Sequence, residues 1–251
     1  MPLTDRVVLV TGASSGIGRA IALACAREGA DLVITYWRER AKAEGVADTV
    51  RAGGRRVCVL PLDLADPASI MRLAAAAREA FGRVDAWINN AGTDILTGSG
   101  ATLPLHDKLD RLLTIDLRGT ILASWVAADF MSAQESGGVI INMSWDHVLT
   151  GMEGKNPEMF AAVKGGVLSF SKSLARSVAP RVRVNILAPG WIDTAFAGGL
   201  DASRRQQVID TTPLRRWGTP EDVAGAAVYL ASPAAAFLTG QTILINGGVA
   251  M

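Results

Sequence analysis

Two residues in the stretch EMFAAVKGG, Phe160 and Lys164, stand four apart. On a helix they share a face and can address the same ligand. The lysine can hold hydroxyl groups or an anion, whereas phenylalanine can neither give nor take a proton. Acid–base chemistry here has to come from other side chains. The stretch SWDHV offers them: Ser144, Asp146 and His147 follow an apolar run, with Trp145 among them. An imidazole exchanges protons near neutral pH, and a carboxylate beside it can hold its tautomer. His147 is one of two histidines, the other being His106, and the two tyrosines, Tyr36 and Tyr229, lie elsewhere.

Short β-branched, mostly continuous apolar runs recur at residues 6–11, 31–36, 56–60, 84–88, 138–144, 182–187 and 242–246. Such runs read as strands of a parallel sheet covered on both faces. Helical stretches lie between them. Asp66-Pro67, Asn156-Pro157 and Thr219-Pro220 each offer an N-cap followed by proline at the first helical position, and Gly29 and Gly82 offer stops. The alternation predicts right-handed crossovers and an α/β fold: a Rossmann-type doubly wound parallel sheet of about seven strands with helices on both faces. One domain over 1–251 is expected, without repeats or low-complexity linkers. The polar, glycine-bearing stretch 193–212 reads as an excursion, a candidate substrate lid at the carboxyl ends of the strands.

Composition narrows the function classes. The 251 residues are 49% hydrophobic and 20% charged, with a formal net charge of +1 and no Lys/Arg block, so no nucleic-acid partner is expected. The apolar segments are short and interrupted, and none reads as a membrane span. The start of the chain runs straight into a strand pattern, so no signal peptide is expected and the anticipated location is cytoplasmic. Cys25 and Cys58 have no metal-type spacing and read as packing residues.

After the first strand comes TGASSGIGRA, which places Gly12, Gly16 and Gly18 between a strand and a helix, with Ser14, Ile17 and Arg19 in the same turn. Glycines there let backbone N–H groups approach a pyrophosphate, which a helix N-terminus favours electrostatically. The chain resembles the classical short-chain dehydrogenase/reductase (SDR) family over nearly its full length. Thr11, Gly12, Gly16 and Gly18 match its glycine pattern, and Asn89, Asn90, Ala91 and Gly92 its N-N-A-G signature. Asp63 and Leu64 stand at its adenine-side aspartate. Pro189, Gly190, Ile192 and Thr194 in APGWIDT match its nicotinamide-side motif, and GQTILINGG is a typical ending. The resemblance implies a nicotinamide dinucleotide held by these residues together with Lys164. Members preferring NAD usually carry an aspartate at the end of the second strand. Tyr36 stands there instead, with Arg38 just beyond and Arg19 nearby, which suits a 2′-phosphate and points to NADP(H) rather than NAD(H).

The family's catalytic tetrad is matched only at Lys164. Phe160 stands at the tyrosine, Asp116 at the asparagine and Trp145 at the serine, with Ser144 one place earlier. Ser144 and Phe160 are 16 residues apart, longer than usual, so a bulge could return Ser144 to the serine role. Loss of a positioned acid costs on the order of 10²- to 10⁴-fold in rate. Three readings follow. The first is a divergent NADP(H)-dependent oxidoreductase acting on a small carbonyl or alcohol, its acid–base work moved to His147, Asp146 or Asp116. The second is a non-catalytic dinucleotide-binding protein, and the third an SDR scaffold performing non-redox acid–base chemistry. Asp116 can equally serve as a salt-bridge partner of Lys164. Trp145, Met152, Met159, Phe160 and Trp191 suit an apolar-lined pocket. The resemblance also implies a homo-oligomer, tetramer or dimer, through ILASWVAADFM and FAAVKGGVLSFSKSLA.

Overall fold

The computed structural model describes residues 1–195, 197 and 200–251. The apolar runs form seven strands among these residues: β1 (Val7–Val10), β2 (Asp31–Tyr36), β3 (Val57–Pro61), β4 (Ala86–Asn89), β5 (Gly138–Met143), β6 (Val182–Pro189) and β7 (Thr242–Ile245). All pair in parallel in the order β3-β2-β1-β4-β5-β6-β7. The winding reverses between β1 and β4, where Val8 faces Leu32 on one side and Ala86 on the other. A crevice at the carboxyl ends of the strands is the place such sheets offer a ligand.

The helices are α1 (Gly16–Arg27), α2 (Arg40–Ala52), α3 (Pro67–Phe81), α4 (Gly98–Ala101), α5 (Leu105–Arg111), α6 (Thr120–Ser132), α7 (Lys155–Val178), α8 (Ala202–Thr211) and α9 (Pro220–Ala231). A π-helical stretch, Leu112–Gly119, joins α5 to α6. Ile21, Val46 and Leu230 from α1, α2 and α9 cover one face of the sheet. Leu73, Phe130 and Leu174 from α3, α6 and α7 cover the other. The cysteines are free thiols, and burial pushes Cys25 up to about 12, so it packs as a small apolar group. Among the described residues no helix is long and apolar enough to cross a membrane.

Polar groups inside the sheet are paired with one another. Trp87 Nε1 donates to Asn89 Oδ1, and Asn89 Nδ2 donates to Ser124 Oγ and to Asn142 Oδ1 at 2.9 Å. Asn142 Nδ2 then donates to Ser171 Oγ, which donates to the Val167 carbonyl. This chain of bonds fastens β4 to β5 and both to α6 and α7. Buried polar groups that are fully satisfied rigidify the elements they join.

Two of the expected helix starts form as read. Asp66 caps α3 by accepting from Ala68 N–H, with Gly82 left-handed at its end, and Thr219 with Asp222 closes a reciprocal capping box on α9. The third differs: α7 starts at Lys155 behind Gly154, whose φ of 112° suits glycine, and Asn156 lies inside the first turn. Pro157 is tolerated there because first-turn N–H groups have no intrahelical partner. The stretch 193–212 carries the helix α8, capped by Asp201, with Val208 buried against Ala197 and Trp217. Residues 196, 198 and 199 of that stretch lie outside the described residues.

Arg216 donates to both carboxylate oxygens of Asp222, at 2.6 and 3.0 Å, and Thr219 N–H adds a third bond. The Arg216 hydrogen bonds, followed by that of Thr219, lower Asp222 to about 2. An unfolded aspartate titrates near 3.9. The folded value lies below the unfolded one, so this stabilisation is complete above about pH 4 and is lost as pH falls toward 2. Asp222→Asn should lower stability at neutral pH and flatten the acid limb of the stability profile, measured by urea unfolding between pH 2 and 7.

Candidate active site

The glycine turn is packed so tightly that side chains are excluded from it. A Cβ on Gly18 would lie 2.3 Å from the Gly12 carbonyl oxygen and 2.5 Å from Asn90 Nδ2, and one on Gly12 would meet Ala91 at 3.0 Å. The N-N-A-G segment secures the turn: Thr11 Oγ1 accepts from the N–H groups of Asn90 and Ala91, while Asn90 Nδ2 donates to the carbonyls of Thr11 and Gly12. Gly12 N–H donates to Thr35 Oγ1 on β2. Gly16, at φ +54°, lies beside Thr194, the methyl of which is 3.8 Å from the position a Cβ would take. The three motifs, after β1, β4 and β6, thus converge at the carboxyl edge of the sheet.

This turn fits an anionic ligand. Helices α3, α8 and α9 are capped by their own side chains, but Ser15 gives α1 no side-chain cap, and its first turn holds no acidic residue. The N–H groups and positive dipole end of α1 suit a pyrophosphate. Farther along the edge, Arg38 lies 3.7 Å over the Trp37 ring, just past Tyr36, and Arg19 is exposed on α1. Asp63 Oδ1 accepts from Ala65 N–H. Leu64 is buried against Gly119, where a Cβ would come within 2.8 Å of it. Ile192 is buried and bridges to Gly218.

Lys164 projects from α7 into a buried pair. Its Nζ lies 3.0 Å from Asp116 Oδ2, with the two side chains only 8% and 2% exposed. The ammonium also sits 5.4 Å from the Phe160 ring centroid. Asp116 Oδ1 accepts from Thr93 N–H at 2.7 Å, and a Cβ on Gly92 would stand 2.7 Å from Asp116 Oδ2. Ser144 Oγ donates to the Lys164 carbonyl oxygen at 2.9 Å, so this hydroxyl is engaged with the main chain of α7.

Beyond Ser144 the chain makes a 3₁₀ turn, Asp146–Val148. Asp146 is fully buried, and its Oδ1 accepts from His147 N–H and lies 2.6 Å from His147 Nδ1. A carboxylate oxygen only accepts, so Nδ1 carries a hydrogen and Nε2 is the atom left to exchange a proton with a substrate. The other oxygen, Oδ2, is buried without a hydrogen-bond partner among the described residues and lies against Gly190. Trp145 stacks on the imidazole at 4.8 Å and meets Phe160 edge-on at 5.3 Å, while Trp191 meets His147 edge-on at 6.1 Å and Trp217 at 5.6 Å. Aromatic rings therefore connect His147 to Phe160, and Phe160 to Lys164.

Sequence reasoning singled out most of these side chains, Thr11 and Asn89 among them as motif members, and missed others that hold them. Thr35, Thr93 and Asn142 drew no reading of their own, yet they set the turn and the strand edge. The legible signal was an asparagine inside each of two otherwise apolar strands, AWIN and GVIINM.

Comparison with known proteins places these features in one family. A family model described as enoyl-(acyl carrier protein) reductase matches residues 12–250. The chain belongs to the SDR family. An uncharacterized oxidoreductase of Mycobacterium tuberculosis is 38% identical over 98% of this chain and 93% of its own length. An L-rhamnose 1-dehydrogenase (NAD(P)(+)) of Azotobacter vinelandii is 37% identical over 99% of this chain and 98% of its own. The solved structure of an SDR from Serratia marcescens superposes with a TM-score of 0.89 at 33% identity, covering 100% of both chains. The family is one of oxidoreductases using nicotinamide dinucleotides, and its members usually act on small molecules.

Gly190 marks a close approach at the carboxyl ends of β6 and β7. A Cβ there would lie 2.8 Å from Asn246 Cβ and 2.9 Å from Asp146 Oδ2. Gly190→Ala should destabilise the fold by about 1–3 kcal/mol through overpacking, and the midpoint of urea unfolding, at unchanged slope, measures it.

Proposed function

We propose that this SDR is an NADP(H)-dependent oxidoreductase of a small carbonyl or alcohol in which His147 replaces the usual tyrosine as the acid–base group. The Asp146–His147 pair is the observation that carries the reading. Its geometry leaves Nε2 to give a proton to a carbonyl oxygen or take one from an alcohol. When bound, the dinucleotide supplies or accepts the hydride. Gly12, Ser14, Gly16, Ile17 and Gly18 would receive the pyrophosphate at the start of α1. Asp63 and Leu64, with Asn90, Ala91 and Gly92, would line the adenosine side. Pro189, Gly190, Ile192 and Thr194 would border the nicotinamide, and Lys164 would hold its ribose.

Trp145, Phe160 and Trp191 form apolar surface beside His147 and would shed water from the reacting bond. Stretch 193–212 would close over the substrate. Arg38, held over Trp37, and Arg19 would meet a 2′-phosphate. The whole chain would act as one cytoplasmic domain and assemble as a homo-oligomer, for which half-exposed Trp125 beside Phe170 on the α6–α7 face is the candidate surface. A second reading, a dinucleotide binder without turnover, is favoured by one observation: Ser144 and Lys164 are both committed to partners inside the protein.

Nicotinamide fluorescence titrations should show NADPH binding more tightly than NADH. Arg38→Ala should narrow that preference by about tenfold or more, the weight of charge-assisted hydrogen bonds. NADPH binding similar to NADH would sink the preference. In a screen of carbonyl compounds with NADPH, His147→Gln should lower turnover by about 10²- to 10⁴-fold with cofactor affinity retained. Turnover untouched by that change would remove His147 from the chemistry, and NADPH binding with no turnover of any carbonyl would leave the binder.

A further inference from the structure

We propose that Asp116 is the residue that holds Lys164 in place as a cofactor ligand, supplying the polar anchor that position 160 lacks. An ammonium buried as deeply as that of Lys164 needs an acceptor. The Phe160 face, 5.4 Å away, attracts a cation but accepts no conventional hydrogen bond. Asp116 Oδ2, 3.0 Å away, supplies the opposite charge, and an ammonium's three N–H groups allow it to meet ligand hydroxyls as well.

The position requires a carboxylate and not the amide of the same shape. Asp116 meets a donor at each oxygen: Thr93 N–H donates to Oδ1, and the Lys164 ammonium is ion-paired with Oδ2. An asparagine has one acceptor atom and one donor atom. In either orientation of its amide, the NH₂ group would face another donor, either Thr93 N–H or the ammonium. The surroundings hold Asp116 to this arrangement. It rides on the π-helical stretch, is almost wholly buried, and its Oδ2 occupies space that exists because Gly92 has no Cβ. Asp116 therefore acts through Lys164, as a positioning residue.

The test is a double-mutant cycle on NADPH affinity using Asp116→Asn, Lys164→Met and the pair together, with near-ultraviolet circular dichroism to establish folding. Asp116→Asn should weaken NADPH binding by about tenfold or more in the wild-type background and by less than about twofold once Lys164 is methionine, the non-additivity of residues acting as a unit. Wild-type affinity in a folded Asp116→Asn variant overturns the proposal, as does an equal loss in both backgrounds, which is the mark of a merely structural residue. Phe160→Tyr in the Asp116→Asn background returns an acceptor one turn before Lys164 and should restore affinity. If Asp116→Asn alone does not fold, that double variant decides: folded and binding NADPH supports the proposal, and unfolded or non-binding overturns it. The proposal rests on the dinucleotide reading, whose own failure would show first, as a wild type that binds neither NADPH nor NADH.

Discussion

A lysine ammonium sunk beside a phenylalanine ring has to be neutralised, and the pair it makes with Asp116 joins three distant parts of the chain. Asp116 comes from the π-helical stretch, Lys164 from α7, and Thr93, which donates to the same carboxylate, from the segment after β4. Ser144 adds the end of β5 through the Lys164 carbonyl. Taking two charges out of water is costly, and removing one partner of such a pair leaves the other uncompensated, a loss of roughly 3–5 kcal/mol. The pair thus works as a constraint on the backbone as much as a source of stability. The segments it ties must keep their mutual positions for either charge to stay buried.

A different balance holds at Asp146 and His147. Here the acid and its partner are neighbours in sequence, and the 3₁₀ turn folds the carboxylate back on the ring that follows it. One carboxylate oxygen makes two bonds and the other none among the described residues. Such an arrangement orients the imidazole firmly through a single atom, and Trp145 covers one of its faces. The two polar pairs are separated by Trp145 and Phe160, so each sits in apolar surroundings where its electrostatic influence is weakly screened.

The sheet was readable from sequence because fully covered parallel strands are short continuous apolar runs, and each of the seven lies within two residues of where its run begins or ends. Helix starts were readable where a side chain makes the cap, as at Asp66 and Thr219, and misread at Asn156, where Gly154 leads the chain in with no side-chain bond at all. In the site, Phe160 and Lys164 were linked by helical spacing and Asp146 and His147 by adjacency. Asp116 is a harder case. No periodicity relates it to Lys164, and only the family resemblance brought the two near each other. Thr93 was invisible for another reason: it acts through its backbone N–H, and such a contact leaves no pattern in residue types.

The bonded run from Trp87 through Asn89, Asn142 and Ser171 lies behind the site and within the core. Each member fills a donor or acceptor of the next, so sliding β5 along β4 by one residue would strand several of them at once, while turning every side chain of the strand to the wrong face. Register at the carboxyl edge is therefore decided in a layer that no substrate reaches. That separation gives the edge a freedom that the interior lacks. Residues such as Trp145 and Phe160 can change their chemistry without asking the strands beneath them to move, and a scaffold of this kind can exchange one proton donor for another while its cofactor-facing geometry stays where it was.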